Sequence, residues 1–338
     1  MLKGNNIETF LNRKTYIPKF DDYFADQARI HQNQLTKPPG SLGKLEEFAI
    51  WMAGWQRKIK PTMNNAHCLI FASNHGVAAQ GVSAYPTDVT AQMVENFNNG
   101  GAAINQLCDL ADVKLSVIPM ELARPTRDFT KETAMEGEDV ISAMQLGFDA
   151  VPSECDLLVL GEMGIANTTA ATAVACALFN GPVEDWTGLG TGLNAEGLST
   201  KISVIKAALQ LHGQKYNSAQ KILATMGGRE MAAIAGAVIA ARLLTIPVLL
   251  DGFICTTAAA TLTLFDRKIL DHCLISHLST EPGHLGILAH LKKEPVLDLN
   301  LRLGEGSGAA VASLIMKSAL AIHNGMSTFA EAGVSERK

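Results

Sequence analysis

The sequence has few of the features by which proteins bind nucleic acids or membranes. Only 18% of its 338 residues are charged, the net charge is −5, and its lysines and arginines form no run. Nucleic-acid-binding surfaces are usually basic, so neither this class nor binding to anionic lipid is favoured. The most apolar stretch, residues 231–250, contains Arg242 and Pro247. These interruptions predict a buried helix and strand there rather than a membrane span.

Cysteine is also scarce. The six cysteines are scattered, and none forms a Cys-x-x-Cys pair. This gives no support to a zinc or thioredoxin-type site and indicates reduced thiols in a cytoplasmic protein. We expect neither a metal nor a cofactor. Residues 1–20 lack the apolar segment of a secretory signal, so we expect none.

Short apolar runs alternate with alanine-rich helical ones along most of the chain. The predicted strands are residues 68–72, 114–119, 156–160, 247–250 and 273–275, and the clearest predicted helices are 169–178, 201–211, 230–244 and 257–264. Strands that are apolar on both faces are typical of a parallel sheet covered by helices, which predicts a three-layer α/β domain.

The two ends of the chain have a different composition. Residues 1–30 are richer in aromatic and charged side chains, and residues 309–322 form an amphipathic helical pattern. A chain of this length exceeds most single domains. We therefore predict a large α/β domain at about 31–290 and a small helical domain formed by 1–30 with 291–338.

Polar residues follow the predicted strands. They are Asn74, Glu121, Glu162, Asp251 and His277. The carboxyl ends of parallel strands lie at one edge of a sheet, where such folds bind ligands. This pattern predicts a cleft.

Two glycine-rich loops are candidates for anion binding. Residues 161–169 join a strand to a helix that Thr168 or Thr169 could cap, and 188–193 precede a helix carrying Lys201. Backbone N–H groups and one lysine suit a phosphate monoester. An ordinary loop with a capped helix explains the first segment equally well, and glycine turns like the second are often purely structural.

Two further segments carry charged or polar groups. In residues 276–284, two histidines and an acid match no zinc spacing, and Ser279 is the best ligand-binding candidate. In residues 302–310, Glu305 stands between glycines at 304, 306 and 308. Such glycines permit positive φ and close approach of a ligand, so Glu305 is predicted to face a small molecule.

Together, these segments closely resemble the nicotinate-nucleotide–dimethylbenzimidazole phosphoribosyltransferase family. The matching segments are residues 37–43 (KPPGSLG), 75–77 (HGV), 161–169 (GEMGIANTT), 248–253 (VLLDGF) and 302–310 (RLGEGSGAA). They occur in the family's order and span almost the whole chain. The family has Asp where this chain has Asn74.

The resemblance implies a Rossmann-like sheet with a small helical domain, a homodimer, and transfer of 5-phosphoribose from nicotinate mononucleotide to 5,6-dimethylbenzimidazole. It places Glu305 as catalytic base and Glu162 as a second active-site carboxylate. The implied substrate contacts and pocket residues are Gly164, Asn167, Thr168, Gly190, Lys201, Ser279, Tyr85, Met93, Gly304 and Gly306.

The chemistry suits these residues. The pyridinium nitrogen of the nucleotide leaves as a neutral ring, so its departure needs no metal and no acid. The incoming benzimidazole must lose a proton from its second nitrogen, and Glu305 could accept it.

Two alternatives remain at this stage. One is an NAD-dependent oxidoreductase, suggested by the glycine spacing at 304–308. That motif lies too near the C-terminus for a following βαβ unit. The other is a non-catalytic nucleotide-binding relative.

Overall fold

The computed structural model describes residue 7 and residues 17–190, 192–213 and 216–335. Its centre is a six-stranded parallel sheet in the order β2-β1-β3-β4-β5-β6. The strands are β1 (Ala66–Ala72), β2 (Val113–Pro119), β3 (Leu157–Met163), β4 (Val248–Leu250), β5 (Cys273–Ser279) and β6 (Pro295–Leu301). The strand order reverses between β1 and β3, which is the position where open α/β sheets form a ligand crevice.

The five predicted strands are confirmed, with two extensions that matter for function. Strand β3 continues to Met163 and is buried along its whole length, so Glu162 lies within the strand and not after it. Strand β5 likewise continues to Ser279 and includes Ser276 and His277. Strand β6 was not predicted, because its half-exposed edge position allows polar residues such as Asp298 and Asn300.

The helices surround the sheet. They are α1 (Asp22–Gln34), α2 (Lys44–Gln56), α3 (Val89–Asn98), α4 (Ala103–Ala111), α5 (Gly137–Asp149), α6 (Asn167–Phe179), α7 (Val183–Trp186), α8 (Ala195–His212), α9 (Ala219–Met226), α10 (Arg229–Leu243), α11 (Gly252–Ala260), α12 (Pro282–Leu291), α13 (Ser307–Gly325) and α14 (Phe329–Ala332), with 3₁₀ turns at Gly76–Gln80 and Thr261–Leu264.

Two hydrophobic cores lie on opposite faces of the sheet. Leu158 and Leu160 of β3 contribute to a core with α5, α6, α10 and α11. The alternate residues Leu157 and Val159 contribute to a second core with α2, α4 and α13. This alternation is expected of a strand buried on both faces. The predicted three-layer α/β, Rossmann-like fold is confirmed.

The described parts of the two chain ends meet. Leu35 and Thr328 form an antiparallel bridge. Gln32 Nε2 lies 2.8 Å from His323 Nδ1, and His323 Nε2 lies 2.8 Å from the Ile59 carbonyl oxygen. Strand β6 belongs to the sheet although it falls within 291–338. The division into a 31–290 domain and a terminal helical domain stays a prediction.

Candidate active site

A cavity of about 780 Å³ opens at the carboxyl ends of the strands. Its walls come from the segments after β1 and β3, from the turn after β4, from the end of β5 and from the turn after β6. The cavity therefore occupies the edge at which the sequence predicted a cleft.

Glu305 lies on the turn between β6 and α13. Gly304, Glu305 and Gly306 all have positive φ, at 80°, 60° and 77°. This conformation is disfavoured for a glutamate and needs support from its surroundings. Asp251 supplies that support, because its carboxylate oxygens accept hydrogen bonds from Gly306 N at 2.9 Å and from Ala309 N at 3.0 Å. Asp251 thus caps α13 and fixes the turn that presents Glu305.

Glu305 is 8% exposed and lies on the cavity wall. Burial raises its pKa to about 7, and the nearby Asp251 carboxylate adds to this effect. At neutral pH both the protonated and the ionised forms are therefore populated. A carboxylate with this pKa is well matched to accept a proton at physiological pH.

Glu162 approaches the same turn from β3. It is 4% exposed, and its carboxyl group packs against Gly304, where a Cβ atom would overlap it. Asn167 Nδ2 donates a hydrogen bond to it. Burial, followed by the charges of Asp251 and Glu230, raises the pKa of Glu162 well above its usual range. This shift favours the neutral form of Glu162.

Another part of the cavity wall is formed by glycine backbone and hydroxyl side chains. Gly164, Thr168, Gly190 and Ser279 line it. Helix α6 begins at Asn167, and its N-cap is Ala166 with φ of 72°. The prediction of Thr168 or Thr169 as the N-cap is wrong, because Thr168 Oγ1 instead accepts a hydrogen bond from Lys201.

Lys201 lies beneath this wall. It is fully buried, and its ammonium group donates to Thr168 Oγ1 at 3.0 Å and to the Gly188 carbonyl oxygen at 3.1 Å. Burial lowers the pKa of Lys201, while the negative charge of Glu281 raises it. The lysine thus joins both glycine-rich loops and places a positive charge under them.

Two more charged side chains bind the Gly190 turn. Glu281 Oε1 accepts the Gly190 N–H at 2.8 Å, and Arg302 Nη1 donates to the Gly190 carbonyl oxygen at 3.3 Å. Both side chains line the cavity. One negative group, Glu281, and two positive groups, Arg302 and Lys201, therefore surround the turn at Gly190.

The remaining wall is largely apolar. It includes Val82, Tyr85, Met93, Ile165 and Phe253. Tyr85 is 51% exposed and stands at the mouth. A flat heterocycle could pack against this wall with its edge toward Glu305.

The described residues include no group of three or more metal-ligating side chains that could hold an ion. The histidines of residues 276–284 have other contacts: His277 Nδ1 lies 3.0 Å from Ser276 Oγ, and His284 Nδ1 accepts the Ser279 N–H at 2.9 Å. In the part of the chain that the structure covers, no helix is both long and apolar enough to span a membrane.

Comparison with known proteins identifies the family. A phosphoribosyltransferase family model matches residues 17–334. The chain is 51% identical over 330 residues to a nicotinate-nucleotide–dimethylbenzimidazole phosphoribosyltransferase of a Ruegeria species, covering 98% of each chain, and 53% identical over 309 residues to that of Ruegeria pomeroyi, covering 91% of each. The crystal structure of the Thermus thermophilus protein of that name superposes with a TM-score of 0.85 at 38% identity, over 94% of this chain and 100% of the other.

The chain belongs to the nicotinate-nucleotide–dimethylbenzimidazole phosphoribosyltransferase family. The resemblance stated from the sequence is thereby confirmed, and so is its implication of a pentosyltransferase family.

Most of the site residues that were predicted from the sequence lie together in the structure. The cavity is lined by Tyr85, Met93, Glu162, Gly164, Asn167, Thr168, Gly190, Ser279, Gly304 and Glu305. Lys201 and Gly306 lie behind its surface: Lys201 supports the two loops, and the Gly306 N–H points to Asp251.

Three residues that line the cavity were not predicted from the sequence as site residues: Asp251, Glu281 and Arg302. Each of the three lies in a segment that was predicted to contribute to the cleft or to bind a ligand. Asp251 follows a buried strand, Glu281 lies within 276–284, and Arg302 begins the 302–310 motif. An acid immediately after a buried strand was the available signal for Asp251. Only the folded chain shows that Glu281 meets Gly190, because the two are 91 residues apart.

Proposed function

We propose that this protein transfers 5-phosphoribose from nicotinate mononucleotide to 5,6-dimethylbenzimidazole, giving α-ribazole 5′-phosphate and nicotinate. This reaction supplies the lower nucleotide of cobalamin. The observation that carries the proposal is Glu305, a carboxyl group with a pKa of about 7 in a cavity lined by both apolar side chains and glycine-rich turns.

In the proposed reaction one benzimidazole nitrogen attacks C1′ of the ribose. The bond from C1′ to the pyridinium nitrogen breaks, and nicotinate leaves with that electron pair as a neutral ring nitrogen. The second benzimidazole nitrogen then loses its proton to Glu305. General-base catalysis of this type contributes roughly 10²–10⁴-fold to a rate. Attack on the face opposite nicotinate inverts the configuration from β to α.

The other predicted site residues receive roles consistent with their positions. Gly164, Thr168, Gly190 and Ser279 hold the phosphate and ribose, and Asn167 orients Glu162 through its side-chain amide. Lys201 supports the phosphate-binding loops and supplies positive charge beneath them. Holding the ribose in this way lets the two bases occupy its opposite faces.

Glu162 is proposed to act at the ribose. Its raised pKa favours the neutral form. The positively charged pyridinium nitrogen on C1′ of the nucleotide would favour the ionised form, because an opposite charge lowers the pKa of a carboxyl group. An ionised Glu162 could then stabilise positive charge at C1′ or accept a ribose hydroxyl group.

The pocket for the incoming base is proposed to include Tyr85, Met93, Gly304 and Gly306. Gly304 gives the base access to Glu305, whereas Gly306 contributes by fixing the turn. We also propose a homodimer, as the sequence resemblance implies. From the composition we propose a cytoplasmic location, with no nucleic-acid or membrane partner and no cofactor.

The oxidoreductase alternative has no support. The glycines at 304–308 follow the edge strand β6, and within the described residues no strand follows α13 to complete a dinucleotide-binding unit. Adding the protein to NADH should leave its fluorescence unchanged.

The decisive experiment is to incubate the pure protein with nicotinate mononucleotide and dimethylbenzimidazole and to analyse the products by mass spectrometry. We expect α-ribazole phosphate and nicotinate in equal amounts. Nucleotide binding without nicotinate release would instead identify a non-catalytic relative.

A further inference from the structure

The part of the cavity that is proposed to bind phosphate already contains an anion of the protein itself. Glu281 lines the cavity and is 7% exposed. One of its carboxylate oxygens accepts the Gly190 N–H at 2.8 Å. The other, Oε2, is buried and has no hydrogen-bond partner among the described residues. A buried carboxylate oxygen without a partner is costly and requires an explanation.

The surroundings of Glu281 are those of an anion subsite. The Lys201 ammonium group lies 3.7 Å from the position that a Cβ atom on Gly190 would occupy. Arg302 binds the carbonyl group of the same glycine. The carboxylate also packs directly against Gly188, where an added Cβ atom would lie 2.5 Å from Oε2. Glu281 is thus the negative group in a cradle of glycine backbone and buried positive charge.

A substrate phosphate cannot share this cradle with the carboxylate. Juxtaposed like charges are strongly unfavourable when water is excluded. When the subsite is empty, however, the Gly190 N–H needs an acceptor, because a buried N–H without one is itself costly. Glu281 meets that need only while the phosphate is absent.

We propose that the Glu281 carboxylate is a built-in occupant of the phosphate subsite, which the 5′-phosphate of the donor nucleotide must displace from Gly190. This inference rests on the proposed function, in which the Gly190 turn receives that phosphate. Displacement makes Glu281 a specificity-determining residue. A dianionic phosphate can compete for the Gly190 N–H and the Lys201 charge, whereas a donor nucleoside without phosphate leaves the carboxylate in place.

The test compares the unaltered protein with Glu281→Gln. The amide oxygen of glutamine can still accept the Gly190 N–H, so this variant removes the charge and keeps the hydrogen bond. Calorimetry would measure the Kd of three ligands: inorganic phosphate, nicotinate mononucleotide and nicotinate riboside. The first is free phosphate, the second carries the phosphate as part of the nucleotide, and the third lacks it.

We expect Glu281→Gln to bind phosphate and nicotinate mononucleotide about tenfold more tightly or better, because repulsion between like charges is removed. Affinity for the riboside should change little. The control is Glu184→Gln, which removes the same charge from an exposed glutamate that pairs with Lys206 on the surface. It should bind phosphate as the unaltered protein does. Equal or weaker phosphate binding by Glu281→Gln would overturn the proposal.

A second measurement needs no variant. In a crystal structure of the unaltered protein with inorganic phosphate, the phosphate should accept the Gly190 N–H and Glu281 should have turned away. Phosphate bound elsewhere, with Glu281 still on Gly190, would contradict the inference. These binding results are independent of turnover, so the inference and the proposed reaction can fail separately.

Discussion

At the scale of single residues, Glu305 combines an unfavourable backbone conformation with a raised pKa. Its φ of 60° lies in the left-handed region, and two hydrogen bonds to Asp251 hold the turn in place. Replacement by glutamine should leave this geometry intact while removing the ability to accept a proton. We therefore expect Glu305→Gln to lower kcat by roughly 10²–10⁴-fold.

The KM for nicotinate mononucleotide should change little in Glu305→Gln, because residues other than Glu305 are proposed to hold its phosphate and ribose. Steady-state kinetics with both substrates measures kcat and KM separately and so checks that only kcat falls. Glu184→Gln serves as the charge-matched control. Near-normal turnover in Glu305→Gln would exclude Glu305 as the base.

The pH dependence should report the ionisation of Glu305. Only the ionised form accepts a proton, so kcat/KM should rise with pH and level off above about 7, the raised pKa of Glu305 in the free protein. Asp251→Asn removes a negative charge that helps to raise this pKa. The midpoint should therefore move to lower pH in that variant.

Asp251→Asn should also unfold more easily, since asparagine has one acceptor oxygen for the two N–H groups that Asp251 binds. The pH dependence of kcat/KM measures the effect on the pKa of Glu305, and a thermal melt measures the effect on stability. A lowered melting temperature with an unmoved midpoint would show that Asp251 supports the turn without tuning Glu305.

At the scale of secondary-structure elements, helices α5 and α10 pack so closely that no side chain fits at two glycine positions. Cβ atoms on Gly147 and Gly236 would overlap the carbonyl groups of Ala233 and Met144, respectively. Alanine normally stabilises a helix relative to glycine by about 1 kcal/mol. Here overpacking should reverse the sign, and we expect Gly147→Ala to lower the free energy of unfolding by about 1–3 kcal/mol.

The matched control for this prediction is Gly325→Ala at the end of α13, where nothing lies within 4 Å of an added Cβ atom. Chemical denaturation of the three proteins checks the difference. Equal stability of Gly147→Ala and the unaltered protein would contradict the tight contact.

The secondary-structure elements also differ in how well they could be predicted from the sequence. Buried strands such as β3 were recognisable because apolar residues on both faces form continuous runs. Edge strand β6 was not, because it has no fully buried residue and its exposed residues 298–300 include Asp298 and Asn300. Glu305 was recognisable from its flanking glycines. Glu281 and Asp251 could not be assigned roles, because their partners are distant in sequence and meet only through the sheet.

At the scale of the whole molecule, the segment 37–43 is one of the family's matching motifs, yet it does not contribute to the cavity of its own chain. Glu46 holds it in shape by accepting the N–H groups of Gly40 and Leu42 and by pairing with Lys37 at 2.7 Å. Residues 38–41 are exposed. A rigid, exposed, glycine- and proline-rich loop is well suited to contact a second copy of the chain.

We accordingly expect the protein in solution to have twice the 36.0 kDa mass of one chain. Light scattering coupled to gel filtration measures this directly. If the dimer is needed for activity, the specific activity should fall on dilution below its dissociation constant, because mass action then separates the subunits. A single-chain mass at concentrations where the enzyme is fully active would contradict the homodimer and the expected role of the loop at 37–43 as a subunit contact.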